Sequence, residues 1–290
     1  MRRLRLALVF VALAGAGREV HAQPALNWSA DDGARIETLR TSGDRIEASN
    51  LVLWFPPSLP RADAEALAQR LDPAVAGLWA RVGRHDWQAV PKGRITYYLS
   101  DDTFVAHASG RAAVFVPMAR VKDGRAPFLH EATHELLAST RLGPPSAAGP
   151  RPPLWLTEGL PDYLARLVAA DRGFSEEGPF GTPTLAGVDA VCAERARTPD
   201  GATMLPFVAG PGRPDVLFTT DRARFAPTFY SCSFSFVKYL VSQSSLERIV
   251  ALFGETPATL PARLDAIGGR PLAALSADWL RAIGLSSPGR

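Results

Sequence analysis

The segment Phe128-Leu129-His130-Glu131-Ala132-Thr133-His134-Glu135-Leu136-Leu137 carries the residue types and spacing that metal-assisted hydrolysis requires. On a helix, residues four apart share a face, so His130 and His134 can offer two imidazole nitrogens to one zinc ion. Glu131 then stands beside the open coordination position as a general base. Pro127 suits a first helical position, Leu129, Ala132 and Leu136 form an apolar stripe, and Gly143-Pro144-Pro145 supplies a stop, so the motif falls within one short helix. A histidine on an apolar helix more often fills a core position than binds metal, and a third ligand is what changes that balance. Catalytic zinc takes three protein ligands and leaves one site open, two His and one Glu being a standard set. Glu158 is the candidate: 23 residues separate it from His134, and it stands near the start of a helical pattern that continues through Leu164, Leu167 and Val168.

The first motif, together with Trp155-Leu156-Thr157-Glu158-Gly159-Leu160-Pro161-Asp162-Tyr163, resembles the gluzincin zinc metallopeptidases, in which an HExxH helix precedes a second helix bearing a Glu ligand. Within them the likeness is nearest to the peptidase-MA-like group. In element order it runs over roughly residues 50 to 285, with Phe229 to Leu240 matching a later Tyr-bearing helix, and only the first two motifs are specific. The resemblance implies an α+β, zincin-like fold with a mixed α/β upper lobe carrying the HExxH helix and a mainly helical lower lobe. One departure stands out. Pro161 occupies a position where the family usually has Ala, so either the helix starts near Leu160 or Glu158 sits in a turn ahead of it.

The resemblance also implies roles. Asp162, four residues beyond Glu158, would orient a zinc-bound imidazole by accepting its second N–H; complementing a helix dipole is the competing role. Tyr230 would donate its O–H to the oxyanion that forms during hydrolysis, with Tyr163 and Tyr239 as rivals that also suit the core. The strand expected at Ala112 to Met118 contains Pro117, which cannot donate to a central ladder and so marks an edge. In gluzincins such an edge pairs with extended substrate; an ordinary edge strand blunted by proline is the other reading. His85 and His107 have no partner at ligand spacing and read as structural, and Glu135 is expected to point away from the metal.

The elements that must position these groups are legible in outline. Residues 23–50 are polar, with turn signals at Asp31-Asp32-Gly33 and Ser42-Gly43-Asp44, and read as a lead-in with a strand near Arg45 to Ala48. Leu51 to Phe55 is an apolar run stopped by Pro56-Pro57, and Ile95 to Leu99 is a second strand. Asp63 to Val82 has helical spacing that Pro73 should kink or divide. Residues 171–225 form an irregular insert around a helix at Val188 to Arg197, and helical patterns follow at Phe234 to Phe253 and Pro271 to Ile283. The expected division is 1–22 as a signal peptide, 23–50 as lead-in, 51–142 as the upper lobe and 143–290 as the helical lobe with the third ligand.

Arg2, Arg3 and Arg5, the apolar run Leu6 to Gly17 and Val20-His21-Ala22 form an export signal pattern, too short to span a bilayer. With Arg2, Arg3, Arg5, Arg18 and Glu19 gone, 28 basic and 28 acidic residues remain, so the basic character of the whole chain belongs to the discarded part. A mature chain so balanced, with no basic run interleaved with aromatics, argues against nucleic acid. Cys192 and Cys232 are the only cysteines, an even number suited to an oxidising compartment. A disulfide between them would close a loop of about 40 residues worth ~3–4 kcal/mol; two buried thiols are the alternative. The combined expectation is an exported zinc metallopeptidase, periplasmic or secreted, holding one Zn2+ per chain and acting on peptide or protein, with no membrane span after signal removal. The rival is a non-catalytic zincin-like domain that binds a peptide or cell-envelope partner. A retained carboxylate beside an open metal site favours the enzyme, and nothing in the sequence speaks to oligomeric state.

Overall fold

The computed structural model describes residues 29–85, 93–137, 152–174, 176, 181, 184–210, 214–255 and 258–285. The export-signal segment and the Gly143-Pro144-Pro145 stop lie outside the described residues. The fold is mixed α+β, a five-stranded sheet followed by a long helical half.

The strands are β1 (Asp44–Glu47), β2 (Leu51–Phe55), β3 (Ile95–Ser100), β4 (His107–Ala108) and β5 (Ala113–Pro117), in the order β1-β2-β3-β5-β4. β2, β3 and β5 run parallel, and the short outer strands run antiparallel to their neighbours. The parallel strands are continuous apolar runs because both faces are covered. Leu53, Tyr97, Leu99, Val114 and Val116 join the main core with helices α2 (Arg61–Val82) and α4 (Phe128–Leu136). Tyr98, Ala113 and Phe115, on the opposite face, pack on Ile36 and Leu39 of α1 (Ala30–Ser42).

Four expectations require correction. β5 is not an edge strand: β4 pairs with its residues Val114 and Phe115, and β4 is the edge. Pro117 is tolerated there because it ends the strand, opposite Ser100 of β3. The lead-in contains a 13-residue helix, α1, whose Ser29 side chain caps the Asp32 N–H, so the acidic pair read as a turn is the first helical turn. α2 runs unbroken past Pro73, since nine of its residues are buried and that packing outweighs the lost hydrogen bond. α5 (Leu154–Arg172) likewise begins before Glu158 and continues through Pro161, with every residue from Trp155 to Arg166 buried.

The short helices α3 (Met118–Lys122) after β5 and α7 (Pro199–Met204) within the insert accompany α6 (Val188–Ala196) and α8 (Arg222–Gln243), and α9 (Leu246–Ala251), α10 (Leu260–Ala266) and α11 (Leu272–Ala282) follow. The insert is therefore largely structured. One contiguous cluster joins β2, β3, β5, α2, α4, α5, α6 and α8, so sheet and helices share a core. Among the described residues no helix is long and apolar enough to cross a membrane.

Candidate metal centre

α4 is only nine residues long and its N-cap is Pro127, which offers no capping side chain. Pro127 therefore precedes the helix rather than opening it. Glu176 supplies the missing acceptor from far along the chain, taking the Leu129 N–H at 2.6 Å and the His130 N–H at 3.0 Å. At the other end Glu135 turns toward the segment between β4 and β5. Its carboxylate accepts the N–H groups of Ser109 (2.5 Å), Gly110 (2.8 Å) and Ala112 (2.8 Å), and the Ser109 hydroxyl at 3.1 Å. Ala112 is held there at φ 60°, a left-handed conformation uncommon outside glycine. Two buried carboxylates thus fasten the helix that carries His130 and His134.

α5 brings Glu158 across from α4 because Gly159 lets it approach α8 closely. A Cβ at that position would stand 2.5 Å from the Ser233 carbonyl oxygen. Pinning α8 further, the disulfide Cys192–Cys232 joins α6 to the interior of α8, which begins ten residues earlier at Arg222. A disulfide is at home in an oxidising compartment.

The result is a buried triad of ligand-type atoms. His130 Nε2 and His134 Nε2 lie 3.0 Å apart, and Glu158 Oε2 is 3.7 Å from the first and 3.6 Å from the second. A circle through three atoms so spaced has a radius of about 2.0 Å, which matches the 2.0–2.2 Å of zinc bonds to imidazole nitrogen and carboxylate oxygen. The group His130, His134 and Glu158 could therefore hold a metal ion. His130 Nδ1 and Asp162 Oδ1 are 3.0 Å apart, so the imidazole donates there and turns Nε2 to the centre. Asp162 sits eight residues into α5, too deep for the alternative role at a helix N-terminus.

The charges are tightly coupled. Burial pushes the His130 imidazole down, but Asp162, then Glu158 and Glu131, hold it well above its usual range. Burial raises Glu158, yet His134 and His130 together hold its carboxyl far below the usual carboxylate range. Glu131 is raised, by burial first and by Glu158, against the lowering pull of His130 and His134. Glu176 is pushed up to about 7 by burial, with Arg166 and the two N–H groups opposing.

Tyr230 lies on α8, buried, with its ring against Phe229 and the Arg222 guanidinium at 3.4 Å from its hydroxyl. Its pKa is raised well above the usual value by burial and then by Glu158. Tyr163 packs on Phe234 and Tyr239 lies against the core, as core residues do. His85 bonds the Val82 carbonyl, and His107 bridges Val105 O and Asp32 while stacking on Phe115, on the α1 side of the sheet. The sequence reading missed Glu176, which no local pattern marks, and the fastening role of Glu135. For Glu135 the Ser109-Gly110 pair, a turn with free donors, was the available signal.

No family model matches the chain, and no curated protein matches it. Among solved structures it is similar to the crystal structure of a functionally unknown conserved protein from Bacillus anthracis str. Ames, at a TM-score of 0.40 and 13% identity. That alignment covers 91% of this chain and 56% of the other, so the chain spans about half the length of that protein.

Proposed function

We propose that this chain is an exported, zinc-dependent peptidase of gluzincin type, with the catalytic cleft between a sheet-bearing lobe and a helical lobe. The observation that carries the proposal is the triad of His130, His134 and Glu158, spaced to bind one small ion, with Glu131 next to the first ligand. Bound zinc would supply Lewis acidity, making a water acidic near neutral pH and polarising a peptide carbonyl.

The protein's own groups do the rest. Asp162 accepts from His130 Nδ1, so that with zinc bound the ring would present its Nε2 lone pair to the metal. Glu131 takes a proton from the attacking water and returns it to the departing amine. Its raised pKa strengthens it as a base while the neighbouring imidazoles keep it ionisable. Tyr230, protonated throughout the neutral range, donates to the oxyanion as the carbonyl is attacked. Peptide or protein is the substrate class this donor set suits.

Metal analysis of the purified chain and digestion of a peptide library test the reading. About one zinc per chain and cleavage are expected, and Glu131→Gln should keep the metal while cutting turnover by ~10²–10⁴. Equal cleavage by wild type and variant would remove Glu131 from the chemistry. Zinc binding without any cleavage would favour a peptide-binding domain instead.

A further inference from the structure

Arg222 opens α8 and Tyr230 stands two turns further along it, yet Arg222 Nη2 lies 3.4 Å from the Tyr230 hydroxyl. We propose that Arg222 is a positioning residue that fixes the Tyr230 hydroxyl as a hydrogen-bond donor into the metal centre. The proposal rests on the peptidase reading above and extends it to a residue outside both sequence motifs.

A guanidinium has five N–H donors, no acceptor, and no neutral form at accessible pH, so Arg222 donates and the phenol oxygen accepts. The single phenol proton must then be directed elsewhere. Tyr230 shares a face of α8 with Ser233, whose carbonyl meets Gly159 next to the ligand Glu158, so the metal centre lies on that side. A neutral partner such as an amide carbonyl could accept the same proton and turn it away from the reacting carbonyl; Arg222 cannot.

The ring has little other freedom. Tyr230 is buried, packs edge-on against Phe229, and lies two residues from the disulfide and three from the Ser233 carbonyl that touches Gly159. Within that packing, donation by Arg222 to the phenol oxygen turns the O–H away from the guanidinium. At 3.4 Å the bond is long, and it gains strength when negative charge collects beyond the hydroxyl, because each link in an N–H···O–H···O chain polarises the next. The stabilisation is therefore greater in the transition state than in the ground state, where it acts on kcat. Arg222 itself is only partly buried, so its replacement does not threaten the core.

The test compares Arg222→Ala, Arg222→Gln and Arg222→Lys, each with native Tyr230 and with Tyr230→Phe, on one peptide substrate. Arg222→Ala is expected to lower kcat about tenfold, a fraction of what a lost oxyanion donor costs, with KM and zinc content unchanged. Lys, also a pure donor, should restore most of the rate; Gln, which can accept the phenol proton, should not. With Tyr230→Phe in place, Arg222→Ala should cost nothing more. An equal loss in that background would overturn the proposal. So would a rise in KM confined to substrates with a free C-terminal carboxylate, which would make Arg222 an anion subsite. A readout independent of turnover is the 13Cζ resonance of Tyr230, assigned by its disappearance in Tyr230→Phe. It should move in Arg222→Ala and stay near its native position in Arg222→Lys, and an unmoved signal in Arg222→Ala refutes the contact. If wild type cleaves no peptide, the peptidase reading fails while this resonance still judges the orientation.

Discussion

Gly159→Ala tests whether the close approach of α5 and α8 builds the metal centre. A Cβ there meets the Ser233 carbonyl oxygen at 2.5 Å, the Ser233 carbonyl carbon at 2.7 Å and Val237 Cγ2 at 2.9 Å. The first two are backbone atoms, so no rotamer change relieves the overlap. Restoring an ordinary carbon–oxygen contact of ~3.3–3.6 Å requires the helices to part by roughly 0.8 Å or more. In an open helix position the same substitution would stabilise the fold by ~0.5–1 kcal/mol. Overpacking costs ~1–3 kcal/mol, and an unyielding backbone puts this case at the upper end, for a net loss of about 2 kcal/mol. In a chain of this size that corresponds to a fall in Tm of roughly 4–8 °C. Glu158 precedes the glycine and Tyr230 lies three residues before Ser233, so parting the helices also moves a ligand and the proposed oxyanion donor. Weaker zinc binding and a lower kcat should accompany the drop, since a misplacement near 1 Å can cost ~10² in rate. Calorimetry of metal-free protein separates the packing effect from metal loss, and competition with a chelator measures zinc affinity. A Tm equal to or above that of wild type, with unchanged zinc affinity, would refute the reasoning.

Three further outcomes are expected. His134→Ala should lose most of the bound metal, as measured by elemental analysis after dialysis, because two remaining ligands do not make a catalytic site. Glu176→Ala leaves the Leu129 and His130 N–H groups without their buried acceptor, which should cost ~1–3 kcal/mol in denaturant unfolding, and Glu176→Gln, which keeps one acceptor oxygen, should cost less. Reducing Cys192–Cys232, 40 residues apart, should lower stability by about 4 kcal/mol in the chain-entropy account and depress turnover more than zinc affinity, since neither α6 nor α8 carries a ligand. Thiol counting under denaturing, non-reducing conditions should find none.

What the sequence determined by itself was chemistry carried by local spacing. His130 and His134 share a helical face because of a four-residue interval, and Leu51 to Phe55 and Ile95 to Leu99 show as strands because apolar runs of that length need a sheet. The cysteine pair was legible from count and compartment, and the bond is present. Where a local rule competed with burial, burial won: Pro73 and Pro161 stand inside intact helices because the packing around them outweighs one missing hydrogen bond. The place of β5 was decided by a two-residue partner too short to leave a pattern. Tertiary structure alone made the triangle of ligand atoms, since its sides depend on α5, held against α8 at Gly159, lying across from α4. It alone chose Glu176 and Glu135 to hold α4, because a buried backbone N–H can take any acceptor the fold brings within reach, whatever its distance along the chain.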